Sequence, residues 1–324
     1  FLLATAFRAL THLPVPMFPM GAMLLQLFAQ LTVASGKLIG AVVVPHGDFA
    51  YDPKLVNDTG GSLELHSACE RLGRDVAAEA PEMIFLTTPH GLELSERYML
   101  YLNRENSGAT PLDDMPHAAE GRKVALNFTT PSAAAQALLH RLQAKSLPVE
   151  GLQGFSNSQP LPISWGEILP LTYLRSYGKL PPVIPMSFPL RRFNHSAEMF
   201  DELLLLGAEI GQFLEELPQR VLWLVSADLA HTHLKTGPYG HCPCAQPYDD
   251  ACGEWASAGG SIEALRKARE YQRQGAMSCG FTGLVTLQGF LRSSSWSGEV
   301  LANAHPTYYG MMVAKFTPGY VAVV

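Results

Sequence analysis

The sequence predicts an α/β protein: a single layered domain with a mainly parallel central sheet flanked by helices. Three observations predict it. Short apolar runs rich in β-branched residues alternate with longer helical patterns along the chain. Three of these runs end in loops that each offer a histidine, the position where open α/β sheets bind ligands. No repeat or low-complexity linker interrupts residues 38–324, so they read as one domain.

Residues 1–37 read as an apolar N-terminal extension. Pro14, Pro16 and Pro19 break its first half, and Gln26 and Gln30 punctuate the helical stretch from Met20 to Ser35. That stretch is too short for a membrane span, and neither a basic start nor a small-residue cleavage site marks a signal peptide. A helix packed on the body or on a partner subunit fits, which suits a homo-oligomer.

Leu38 to Val44 is a buried strand that feeds Pro45-His46-Gly47. Leu63 to Ala80 has helical periodicity. Met83 to Thr87 is a second buried strand, feeding Pro89-His90-Gly91. Arg97 to Asn103 alternates like a strand, and 104–121 are polar and turn-rich, a surface loop. Val124 to Phe128 is a strand, and Pro131 to Lys145 a helix with proline in its first turn. Pro182 to Phe188 is a strand and Ser196 to Leu217 a long amphipathic helix. Arg220 to Ser226 is the third apolar strand, followed by Ala227-Asp228-Leu229-Ala230-His231. Residues 232–247 form a loop. Helices are expected over 249–258, 261–274 and 281–291, and a final strand over 308–316.

Composition excludes several functions. With 47% hydrophobic and 16% charged residues the chain is too apolar for disorder. The net charge is −6 and the longest basic run is Arg191-Arg192, so nucleic-acid binding has no electrostatic footprint. Five cysteines, an odd number in a large chain, do not indicate a disulfide framework; a reducing compartment, the cytoplasm, is expected. No P-loop or dinucleotide fingerprint occurs, and Ser226 lacks the glycine-flanked elbow of hydrolases.

The chemistry rests on His46, His90 and His231. Three strands of a parallel sheet would bring three imidazoles to one edge. Proline stiffens the approach to His46 and His90, and the glycine after each lets another group come close to the backbone. Neutral imidazole ligates Fe(II), Zn, Cu and Mn, and two histidines with one carboxylate leave open positions for substrate and dioxygen. A further histidine beside the metal moves a proton near neutral pH.

Pro45-His46-Gly47-Asp48, Pro89-His90-Gly91, Ser226-Ala227-Asp228-Leu229-Ala230-His231, Cys279-Gly280 and Pro306-Thr307-Tyr308-Tyr309-Gly310 together resemble the class III extradiol ring-cleavage dioxygenases. This is the family of the protocatechuate 4,5-dioxygenase β subunit, whose fold Memo proteins share. The resemblance runs from about residue 38 to 316. It implies that His46 and His90 ligate non-haem Fe(II), that His231 is the acid/base, and that the substrates are a catechol-like or aminophenol-like aromatic and O2. Asp48 is placed to orient His46.

Two positions depart from the family pattern. The third ligand there is a Glu before an aromatic-Asp pair; here Pro247 precedes Tyr248-Asp249. Asp249, Asp250 or Glu254 is then a substitute. Where the family often has a histidine, Ser164-Trp165-Gly166-Glu167 places Trp165. Memo-type relatives imply another completion: Cys279 beside the two histidines, a donor that favours Zn or Cu. Three functions compete: the dioxygenase, a Memo-like metal- or protein-binding module, and a zinc hydrolase with Glu167 activating water. His241, Cys242, Cys244 and Cys252 have the residue types of a structural zinc site without its usual spacing. His233, His305, Tyr308 and Tyr309 are candidates to line the pocket.

Overall fold

The structure is a computed structural model that describes residues 37–53, 59–112, 123–154, 159–292 and 295–319. These lie in the second of the two units into which the chain divides, Gly36–Val324. The expected N-terminal extension, apart from Lys37, lies outside the described residues. Among the described residues no helix is long and apolar enough to cross a membrane.

Eleven strands form among the described residues, in chain order β1 (Lys37–Val44), β2 (Met83–Thr88), β3 (Tyr98–Tyr101), β4 (Glu105–Pro111), β5 (Lys123–Thr129), β6 (Val149–Leu152), β7 (Leu161–Pro162), β8 (Val183–Ser187), β9 (Arg220–Ser226), β10 (Trp296–Ala304) and β11 (Met311–Pro318). The helices are α1 (Asp48–Tyr51), α2 (Thr59–Glu79), α3 (Ser132–Ala144), α4 (Trp165–Arg175), α5 (Arg192–His195), α6 (Phe200–Glu216), α7 (Ala245–Ser257), α8 (Ile262–Tyr271) and α9 (Phe281–Leu291).

The main sheet has eight strands in the order β10-β11-β1-β9-β2-β8-β3-β6. Its centre, β1-β9-β2-β8, is parallel throughout, as the β-branched runs predict. Side-chain alternation splits these strands between two cores. Ala41, Val43, Phe85, Trp223 and Val225 face α6 and α9. Val42, Val44, Ile84, Leu86, Leu222 and Leu224 face α2 and α4. Register fixes the site: Val44 pairs with Ser226, and Thr87 with Val225. The three strands therefore end level, side by side.

The structure corrects several expectations. Residues 105–111, expected within a surface loop, form β4 in a second, three-stranded sheet ordered β5-β4-β7. Pairing to the cleanly alternating β5 supplies the order that its own polar sequence does not. The long helix after β8 begins at Phe200, with the short α5 before it. The last strand starts at Met311, so Tyr308 and Tyr309 sit in a loop, and it pairs with the unanticipated β10. Helix α4 was also unanticipated, because Pro170 lies inside it. A capping box joining Ser164 and Glu167 starts this helix despite the proline.

Candidate metal centre

The loops after β1, β2 and β9 place His46, His90 and His231 around one cleft, of about 470 Å3, at the carboxyl edge of the sheet. The His46 and His90 rings meet edge to face, with centroids 4.8 Å apart. The glycine after each histidine is needed for close approach. A Cβ on Gly47 would run into the Tyr309 phenol, and one on Gly91 into Tyr101 and Glu167.

Two groups of three donor residues each bring their donor atoms within 4.8 Å of one another among the described residues: His46-His90-Cys279 and Asp228-His231-Cys279. Cys279 precedes α9, held by Gly280 N–H donating to Asp228 O at 3.0 Å. Its Sγ lies 3.4 Å from His46 Nε2. The thiol comes from 233 residues away in sequence, and it stands where the Memo-type resemblance implies.

The protonation state of His46 follows from a chain of hydrogen bonds. Pro170 has no N–H, so it cannot close the helical bond to Gly166 O four residues earlier. Ser226 Oγ–H donates to that carbonyl instead, at 2.6 Å. A serine hydroxyl has one proton, so its contact with His46 Nδ1, at 2.9 Å, must be accepted from the ring. His46 is thus the Nδ1–H tautomer, and Nε2 carries a lone pair. Asp228 Oδ2 faces that lone pair at 3.3 Å, while Asp228 Oδ1 accepts from the His46 backbone N–H at 3.1 Å. Two acceptor atoms turned toward each other suit a cation between them. Burial and the neighbouring His90 hold the His46 imidazolium well below its usual range, so the ring is neutral at pH 7.

His90 is similarly neutral, pushed down to about 3 by burial and then by Arg192. Its carbonyl accepts from Ser164 Oγ–H at 2.6 Å, and its ring lies 5.1 Å from that of Trp165. The position where the resemblance often has a histidine therefore supplies an indole wall. His231 donates Nδ1–H to Leu229 O at 2.8 Å, which leaves Nε2 as its acceptor. Burial lowers its pKa to about 4. Tyr309 stacks on it at 5.5 Å. Burial and then Asp228 push the Cys279 thiol up to about 12.

The carboxylates expected to replace the missing Glu are elsewhere. Asp249 is buried in α7 and accepts from Ala230 N–H at 3.0 Å and from His233 Nε2 at 2.8 Å. It braces the His231 loop, and burial raises its pKa. Asp250 accepts from Gln246, and Glu254 pairs with Lys267 on the surface. Asp48 is buried in α1 and lines the cleft, and Ser226, Asp228 and Cys279 stand on the His46 ring. Glu167 closes the α4 cap and accepts from Tyr101 Oη–H at 2.8 Å, with burial raising its pKa to about 7. It belongs to neither donor group.

The Cys242–Cys244 pair is disulfide-bonded and Cys252 is buried, so these cysteines do not converge as a zinc site. His233 stacks on His305 at 4.0 Å, and neither lines the cleft. Tyr308 and Tyr309 do line it, as expected. Sequence reasoning missed Tyr239 and the β4 pair Thr110 and Pro111, which also form its wall. It also missed Ser226 as a partner of His46.

Comparison with known proteins fits this geometry. The profile of the catalytic LigB subunit of aromatic ring-opening dioxygenases matches residues 45–314. The chain belongs to the LigB family. It is 23% identical over 261 residues to protein CA_C1420 of Clostridium acetobutylicum, across 81% of this chain and 52% of that protein. The chain thus spans about half the length of that relative. The crystal structure of the uncharacterized protein JW3007 from Escherichia coli K12 shares the fold. It aligns with a TM-score of 0.51 at 15% identity, over 86% of this chain and 99% of that one. All three strand-end histidines and Cys279 fall within the LigB match.

Proposed function

We propose that this LigB chain binds one metal ion through His46, His90 and Cys279 and opens a catechol-like or aminophenol-like aromatic ring with O2, with His231 as the proton carrier. The observation that supports it most is the approach of Cys279 Sγ to His46 Nε2, beside His90, with both histidines on the wall of the aromatic-lined cleft. The donor set fits a metal: the lone pair on His46 Nε2 is fixed by its hydrogen bonds, and the thiol loses its proton on binding a cation.

When bound, the metal would be the common template for the aromatic hydroxyls and dioxygen. The chain's own residues do the rest. Trp165 and Tyr308 offer aromatic surface for a flat ring, and His231 Nε2 accepts a proton from a hydroxyl beside it. Negative charge on the deprotonated ligand then favours the protonated His231, which can return the proton to the opening ring. Fe(II) is the metal for this chemistry.

One observation favours a second reading. A thiolate in place of a carboxylate suits Zn or Cu better than Fe(II); on this reading the centre serves a Memo-like metal- or protein-binding role without turnover. Elemental analysis and a panel of catechols and aminophenols under oxygen separate the two. The first reading expects about one metal per chain, lost in His46→Ala, and a coloured ring-opened product from iron-loaded protein. Full metal occupancy with no product from any panel member leaves the second reading. No metal uptake overturns both.

A further inference from the structure

The loop that leads from His231 into α7 carries the one disulfide among the described residues, Cys242–Cys244. Neither cysteine lines the cleft or belongs to either donor group. Only Pro243 lies between them. A disulfide stabilises a fold chiefly by closing a long loop of the unfolded chain. A bridge across one residue closes almost none, so stapling the fold does not account for it.

Its surroundings fit thiol exchange. Cys242 is half-buried between exposed His241 and Pro243, whereas Cys244 is 4% exposed at the start of α7. An incoming thiolate therefore reaches Cys242 Sγ first. The sulfur it displaces, that of Cys244, belongs to the residue at the positive end of a 13-residue helix, which favours a departing thiolate. An accessible sulfur and a stabilised leaving group are the conditions for fast exchange.

The bridge also sits at the base of a loop that reaches the cleft. Cys242 N–H donates to Thr232 O at 2.9 Å and closes residues 233–241 into that loop. The loop places the Tyr239 ring 5.9 Å from the His231 ring, on the cleft wall. Its base is tied to the segment before Cys279: Thr232 Oγ1–H donates to Gly275 O at 3.0 Å, and His231 N–H to Ala276 O at 2.8 Å. Opening the bridge frees Cys242 from the fixed start of α7 and loosens the bond that closes the loop.

We propose that Cys242–Cys244 is a reversible thiol–disulfide switch, opened by a dithiol reductant, that sets how firmly the Tyr239 loop is held against His231. One thiolate of the reductant attacks Cys242 Sγ, the Cys242–Cys244 bond breaks, and Cys244 leaves with the electron pair. The second thiolate attacks the reductant's own sulfur in the mixed disulfide, and Cys242 leaves in turn. The reductant ends as a disulfide, and its two protons pass to the two cysteines. An oxidised dithiol reverses each step.

The native chain, equilibrated in mixtures of reduced and oxidised dithiothreitol, tests this. Alkylation with peptide mass spectrometry reads Cys242 and Cys244 apart from Cys69, Cys252 and Cys279, and hydrogen exchange reads the loop. The pair is expected to open and close reversibly without denaturant. Opening should speed exchange of amides 233–242 by about tenfold and leave β1 unchanged. The double variant Cys242→Ser, Cys244→Ser should show the fast rate at every redox setting. The readout needs neither metal nor turnover, so it stands apart from the ring-opening reading. A bridge that opens only after denaturation, or that never forms in oxidised dithiothreitol, overturns the switch. An opened bridge with unchanged loop exchange overturns it as well.

Discussion

His46 and His231 sit on the ends of adjacent strands and share a tautomer, yet they are held by different means. His46 is fixed through Ser226 to Gly166 O in another element, a carbonyl left available by Pro170. His231 donates to Leu229 O within its own loop, and that loop is tied to α7 by Asp249. The first arrangement locks a ring against the sheet, as the proposed ligand role requires. The second leaves the ring answerable to one loop, which suits a group that changes protonation during a reaction. Pre-organisation of this kind acts through partners of the functional residue.

The largest expected effect breaks the His231 side alone. Asp249→Ala leaves a buried backbone N–H and His233 without their acceptor, a cost of about 3 kcal/mol of folding stability. Denaturant titration should show it. Metal affinity at His46 should stay within about twofold, because Asp249 touches neither Ser226 nor Cys279. A parallel loss of metal would mean that the two supports are not separate.

Ser226→Ala breaks the other side. His46 Nδ1–H loses its acceptor, and the ring is free to place its proton on Nε2. Loss of such a partner typically costs about 10–100-fold in metal affinity. Competition with a chelator of known affinity measures this. Unchanged affinity would show that the Pro170–Gly166–Ser226 relay does not set the tautomer.

What the sequence made legible follows the same division. The three histidines were readable because β1, β2 and β9 are short, mostly apolar and parallel, so their ends align by register. The supports were not readable, since each is a contact between distant elements. Cys279 reaches His46 across 233 residues. Asp249, expected as a metal ligand from its place in the chain, points at the His231 loop instead, because α7 presents it to Ala230 and His233. β4 and β10 were hidden by polar, glycine-bearing sequences that order only by pairing with β5 and β11. Helix α4 was hidden by Pro170, the residue whose missing N–H turns Gly166 O toward Ser226.

The smallest effect compares the two rings by proton linkage in the metal-free protein. Both are buried and neutral, so the folded chain resists protonation that the unfolded chain accepts below the usual imidazole value of 6.5. The unfolded state then binds more protons, and stability falls as pH falls. For His231 the loss begins near 6.5 and continues until its folded value of about 4. Each such histidine contributes a slope of roughly 1.4 kcal/mol per pH unit in that window. Glu167 opposes it: its value is raised to about 7, so its contribution is present below the usual 4.5 and lost as pH rises through 7. His231→Gln should therefore flatten the acid limb of stability against pH by about one histidine's slope while Glu167 is untouched. His46→Gln should flatten it by a similar amount, because burial rather than tether sets both values. Equal flattening would confine the difference between the two rings to positioning. A much smaller effect for His231 would mean that its loop opens to water before the protein unfolds, and that the two histidines differ in mobility as well as in partner.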